Sequence, residues 1–385
     1  MGKTGGYTGG YTGGYTGGYT GGYTGGYTGG YTGGYTGAVG ENPIVASDAI
    51  NKSREAIAVP SNTANNTDHA PAPVTPDFPT GRTLERRLKH WYPWVDSNLL
   101  LQELLQPISY AVGSNGNDVT LQLLGATPAT TTTLKLVRPS LQRFVDEIPA
   151  VIAAAQQRAD RASEILVQTN NIPAFWESIL GLSQERYRYT LQLMSVIGQL
   201  GVFAGLRFKH EFACARPDEY SPQIQPMIPT PLHGAYPMGH MCEAVAITVV
   251  LCALLNPAGV AGSAAQKATC DQLWRLALRV AENRIVAGVH FPVDTLGGIA
   301  LGYWLGNYVL QAAGVAGVTV PKDAAFDPVA TTNIMGETWL LNLSRQYSGF
   351  YSPVTGQNTI PANADFGILK VVWDKAVKEW TYPSV

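Results

Sequence analysis

Two runs in the C-terminal half of the chain limit what it can become. "CEAVAITVVLCALL", starting at Cys242, and "LGGIALGYWLGNYVL", starting at Leu296, are apolar almost without a break. A helix with so little polar surface has to be buried on most of its sides. The stretch from Ala244 to Leu255 is too short to span a bilayer. The second run is longer, but it is rich in glycine and interrupted by Asn307. Both are therefore expected as buried helices of a large body, with no membrane span. Composition agrees, since 45% of the residues are hydrophobic and only 14% are charged. A net charge of −2 supplies no global field for nucleic acid or an anionic membrane, so any anion site must be local.

The rest of the body also reads as helix. "SLQRFVDEIPAVIAAAQQRADRASEILVQ" opens on Ser140, a serviceable cap, and "QERYRYTLQLMSVIGQLGVFAGLRFKHEFA" follows Ser183 in the same way. "AAQKATCDQLWRLALRVAENRIVAGVH" and "PVDTLGGIALGYWLGNYVLQAA" continue the series, and "ADFGILKVVWDKAVKEW" closes it. "NDVTLQLLG" is the best of a few short strand patterns. The expected architecture is an all-α bundle over residues 81–385.

Ahead of it stand a repeat tail (1–37) and a linker (38–80) rich in Asn, Ala, Pro and Ser. Residues 5–36 are eight copies of Gly-Gly-Tyr-Thr. Half-glycine composition and a period of four both oppose an amphipathic helix. In an extended chain the same period puts every Tyr on one face and every Thr on the other. The plain expectation is a flexible low-complexity tail; the alternative is self-association by stacking, as in cross-β assemblies. No apolar segment suited to Sec export follows Met1, so a cytoplasmic location is the default, with non-Sec export as the other route. Four cysteines without C-x-x-C spacing suggest neither a zinc site nor a disulfide framework.

Three short segments carry polar groups that an apolar bundle would not bury without reason. "KHEFACARP" holds Lys209 and Arg216 seven residues apart. That is two helical turns, placing both cations on one face, with Pro217 ending the helix. "HGAYPMGHM" sets His240 where the next helix begins, among N–H groups that lack partners and suit an anion. "NRIVAGVHFPVD" carries Arg284, His290 and Asp294. The i, i+4 spacing of the last two lets the carboxylate accept the Nδ1 proton and leave Nε2 free and basic. Each element alone has an ordinary structural reading: a solvated face, a satisfied core histidine, a surface pair.

Taken in order they are K-x6-R-P, P-x-G-H and R-x5-H-x3-D. This resembles the superfamily of type 2 phosphatidic-acid phosphatases, bacterial non-specific acid phosphatases and vanadium-dependent haloperoxidases. Its pattern is K-x6-R-P, P-S-G-H and S-R-x5-H-x3-D, and its fold is helical. The resemblance covers Lys209 to Asp294 and implies roles at the matched positions only. Lys209, Arg216 and Arg284, with the Gly239 backbone N–H, would hold the oxygens of phosphate or vanadate. His290 would be the phosphoryl nucleophile, or the axial ligand of vanadate as cofactor. Asp294 would orient it, and His240 would be the acid–base group.

Two positions depart from the pattern. Asn283 stands where the family has serine before the arginine, and Met238 replaces the serine of P-S-G-H. A thioether cannot donate the hydrogen bond that serine gives an oxyanion, a loss of about 1.5–3 kcal/mol. Met238, Met241 and Cys242 also bracket His240 with oxidisable groups, which argues against vigorous chloride oxidation. Three functions follow. One is a haloperoxidase-like enzyme using vanadate, halide and peroxide, favoured by the long helical segment before Lys209. Another is a phosphomonoesterase acting through phosphohistidine on a small ester. The third is a catalytically degenerate member whose repeat tail drives assembly.

Overall fold

In a computed structural model of the chain, the described residues are 93–124, 131–256, 263–318, 320–328, 356–358 and 366–381. The repeat tail (1–37), the linker (38–80) and the expected start of the body at residue 81 lie outside them. The chain divides at Asp96–Ser97, and the architecture is that of the unit Ser97–Val385.

Helix α1 (Pro93–Leu105) leads into a hairpin of β1 (Ile108–Val112) and β2 (Asp118–Leu123), followed by β3 (Thr132–Val137). Helices α2 (Leu141–Ala154), α3 (Arg158–Val167) and α4 (Pro173–Leu180) come next. The long α5 (Arg188–Phe212) is separated by a turn from the four-residue α6 (Pro217–Tyr220). Then come α7 (Gly239–Leu255), α8 (Ala264–Val286) and α9 (Pro292–Ala312), the short strands β4 (Val320–Lys322), β5 (Ala324–Phe326) and β6 (Gly356–Asn358), and α10 (Gly367–Thr381).

The expected helices are present, but all-α is not the whole description. A four-stranded sheet in the order β1-β2-β3-β5 lies beside the bundle. Its first two pairings are antiparallel and β3–β5 is parallel. The "NDVTLQLLG" pattern is β2. Its Val119, Leu121 and Leu123 alternate with half-exposed residues and pair across to Leu136, Leu134 and Thr132, so one face of the sheet is buried.

Central α7 packs on α9, α5 and α8 and buries residues around its whole circumference, as its apolar sequence demands. Close approach to α9 depends on glycine. A Cβ at Gly298 would come within 2.6 Å of the Met238 carbonyl oxygen, and one at Gly302 would strike the Cys242 backbone. The glycines of "LGGIALGYWLG" therefore let the two helices meet backbone to backbone.

One described segment, Arg188–Tyr220, is long and apolar enough by length and composition to cross a membrane, and 56% of its apolar window is buried. It is neither of the two runs singled out by hydropathy along the sequence. A core helix of this kind passes the same test, so this is weak evidence for a span.

Candidate active site

Lys209 lies in the last turn of α5, which stops when Ala213 enters the left-handed region and donates its N–H to the Lys209 carbonyl. Arg216 is therefore not on the helix with Lys209. It stands beyond the turn, immediately before α6, and Pro217 begins that short helix rather than ending α5. The two cations converge because the chain folds back, not through a shared helical face. Lys209 Nζ donates to the carbonyls of Gly234 and Ala235 at 3.0 and 2.9 Å. Burial, reinforced by the charge of Arg216, holds its pKa well below the usual lysine range.

Arg216 is fully buried, with its donors engaged on several sides. Nε donates to the His233 carbonyl, and Nη2 faces His233 Nδ1 at 3.0 Å and the Gly234 carbonyl. Nη1 donates to the Val289 carbonyl at 2.7 Å and meets His290 Nε2 at 2.9 Å. His290 Nδ1 lies 2.9 Å from Asp294 Oδ2, which also accepts the Phe291 backbone N–H. A guanidinium can only donate, so Nε2 must accept and the ring proton sits on Nδ1, directed at the carboxylate. The expected dyad is in place, but Nε2 is not free, because Arg216 covers its lone pair. Burial lowers the His290 pKa well below the usual range, with the cations Arg216 and Lys209 adding to the effect. Burial raises that of Asp294, opposed by the Phe291 N–H and the same two cations. The imidazole is thus held neutral, the form that can act as nucleophile.

Arg284 comes from the last turn of α8 and is almost wholly buried. Its Nη2 donates to the Ile165 carbonyl and the Gln168 side chain, while Nε has no hydrogen-bond partner. A buried guanidinium N–H without an acceptor is what an anion would satisfy. Asn283, in place of serine, shares an acceptor with this group: its amide donates to Glu164 and to the same Gln168 Oε1, tying α8 to α3.

At the N-terminus of α7, the Met238 backbone N–H donates to the Asp294 carbonyl at 2.9 Å, joining the second segment to the third. The Met238 side chain is fully buried in the core and lines no part of the cavity. His240 Nε2 lies 3.0 Å from the Gln168 carbonyl oxygen, an acceptor, so the proton is on Nε2 and Nδ1 is bare. Burial, then the charge of Arg284, pushes this imidazole down to about 3.

These groups surround one cavity of about 470 Å³, walled by Lys209, Arg216, Gly239, His240, Arg284 and His290. Asp294 stands behind His290. Leu166, Val202, Leu206, Ile228, Pro229 and Pro231 add an apolar side. Met241 and Cys242 are buried, and no methionine or cysteine is among the cavity-lining residues. Three contributors escaped the sequence reading. His233 lies in the quoted stretch "HGAYPMGHM" and pairs with Arg216. Glu243 lines the cavity one turn after His240, a spacing legible on α7. Gln168 binds Arg284 and Asn283 through its side chain and His240 through its backbone, and no local pattern announces it.

Comparison with known proteins gives the same region. A family model described as the PAP2 superfamily matches residues 189–316. No curated protein matches the chain significantly. Among solved structures, the chain is similar to the crystal structure of a transmembrane PAP2-type phosphatidylglycerolphosphate phosphatase from Bacillus subtilis. The identity is 19%, covering 44% of this chain and 93% of that one, with a TM-score of 0.28. So low a score adds nothing to the argument from geometry. Residues 189–316, the stretch that matches the PAP2 superfamily model, contain every residue of the three motifs.

Proposed function

We propose that the chain hydrolyses a small phosphate ester, with His290 as nucleophile. The observation that carries this reading is the neutral His290, its Nδ1 proton held by Asp294 and its Nε2 lone pair turned to Arg216 at the cavity wall. A phosphate entering the cavity would draw Arg216 from Nε2 onto its own oxygens and uncover the lone pair. Nε2 then attacks phosphorus while the ester oxygen departs with the bonding electron pair. Lys209, Arg216, Arg284 and the Gly239 N–H hold the charge on the phosphoryl oxygens. In the second step His240 Nδ1, bare at neutral pH, accepts a proton from the water that hydrolyses the phosphohistidine. The apolar side of the cavity takes the organic part of the ester.

Rapid-quench experiments with a labelled aryl phosphate test this. The wild type is expected to accumulate an acid-labile, base-stable label on His290, and His290→Ala to lose both label and turnover. Hydrolysis that survives in His290→Ala would overturn the assignment.

The same groups fit vanadate, and this second reading is favoured by cavity walls without the thiol or thioether that an oxidant would attack. Lys209, Arg216, Arg284 and the Gly239 N–H would hold its oxygens, and His290 Nε2 would be its protein ligand. When bound, it would supply oxidation of halide by peroxide. Vanadate-loaded protein that consumes no peroxide with chloride, bromide or iodide would remove this reading.

A further inference from the structure

Glu243 stands on the first turns of α7, four residues after Gly239 and three after His240, and lines the same cavity. Its position comes from two glycines. A Cβ at Gly201 would lie 3.3 Å from Glu243 Cγ, so this gap in α5 is where the carboxyl stem passes. A Cβ at Gly239 would lie 3.7 Å from Glu243 Oε1 and 3.9 Å from Lys209 Cε. The carboxyl thus flanks the helix N-terminus whose N–H groups would hold the anion. It is the one carboxyl group among the residues lining the cavity.

A carboxylate there would repel a phosphate, whereas a carboxylic acid would bind it. The surroundings favour the acid. Burial pushes the Glu243 carboxyl up to about 8, against the pull of Lys209. Among the other groups there, the Thr169 hydroxyl already donates to the Leu166 carbonyl, Met238 is buried in the core, and His240 has its N–H on Gln168.

Resting on the phosphate-site reading, we propose that Glu243 is a neutral carboxylic acid that donates a hydrogen bond to an oxygen of the bound phosphate group. It supplies the donor that methionine at position 238 cannot. Its ionisation then sets the alkaline limit of anion binding, so the site discriminates by pH as well as by charge.

The test is calorimetric binding of inorganic phosphate between pH 6 and 9.5 by the wild type, Glu243→Gln and Glu243→Leu. Other titrating or charged groups facing Glu243 are Lys209 from α5, Arg216 and His233 from the turn region, Arg284 from α8, His290 ahead of α9, and His240 on its own helix. The phosphate and the groups not coupled to Glu243 titrate alike in wild type and Glu243→Gln, so the ratio of the two affinities reports the ionisation of Glu243 together with its effect on Lys209, whose charge acts on it. Above about pH 8 the wild type is expected to weaken by about tenfold per pH unit relative to Glu243→Gln. At pH 7 Glu243→Leu is expected to bind at least about tenfold more weakly than the wild type, with Glu243→Gln recovering most of the loss.

Parallel profiles for wild type and Glu243→Gln would overturn the proposal, as would tighter binding by both variants at pH 7, the signature of a repelling carboxylate. If Glu243→Leu does not fold, the ratio of the other two profiles decides. A wild type that binds no phosphate would instead overturn the phosphate-site reading, and this inference with it.

Discussion

Met238 occupies the position where the family pattern has a hydroxyl facing the oxyanion, yet its thioether is fully buried among the residues of the core. The substitution therefore removes a donor without blocking the site, and the methionine has become a packing residue. Met238→Ser is expected to destabilise the protein by about 2–4 kcal/mol, because the smaller side chain leaves a cavity in the core. Urea denaturation measures this. A change below about 1 kcal/mol would mean that the side chain does not occupy the core. The motif residues themselves were legible from spacing. The role of Glu243 was not, because a glutamate on a helix is ordinarily a solvated group. The glycine gaps at positions 201 and 239 show where it goes.

The helices are capped partly by their own sequence and partly by distant chain. Ser140 accepts the Arg143 N–H at the start of α2, and Ser263 forms a reciprocal box with Gln266 at the start of α8. Both signals are local and readable. Ser183 resembles them but does not cap α5. Its carbonyl accepts the N–H groups of Arg186 and Tyr187 in a turn, and the helix begins at Arg188. The α5 terminus is satisfied by Glu379 of α10, whose carboxylate accepts the N–H groups of Tyr189 and Thr190 and the Thr190 hydroxyl. Glu103 of α1 does the same for Ile368 and Leu369 at the start of α10, and Glu147 of α2 for Val293 at the start of α9. Glu379→Ala is expected to cost about 1–3 kcal/mol by leaving these donors without their acceptor. It should shift the denaturation midpoint, whereas Glu379→Asp, one methylene shorter, should be intermediate. A midpoint unchanged in Glu379→Ala would show that water replaces the carboxylate at no cost.

At the scale of the molecule, burying the site ties stability to pH. His240 is held neutral down to about pH 3, whereas in the unfolded chain a histidine takes its proton near 6.5. Its folded pKa is depressed, so its contribution is complete above pH 6.5 and is lost as pH falls from there towards 3. Over that window the wild type is expected to lose about 1 kcal/mol per pH unit more than His240→Gln, which has no proton to take up. Denaturation curves at pH 7, 6 and 5 measure the difference. Equal slopes would mean that the ring is solvated or charged in the folded protein.

Residues Lys209, Arg216, Arg284, His290 and Asp294, their order along the chain, and the central helices were determined by sequence alone. Helical periodicity, apolar runs and dyad spacing act over a turn or two and need no partner. The convergence of Lys209 with Arg216 through a reversal of the chain, the cover that Arg216 places over His290 Nε2, and the sheet beside the bundle were decided by tertiary structure. So were the carboxylate caps from distant helices and the carbonyl that fixes the His240 tautomer. Apart from the Lys209–Arg216 turn, each joins residues far apart in the chain, where burial removes competing water and leaves other protein groups as the partners of each polar group.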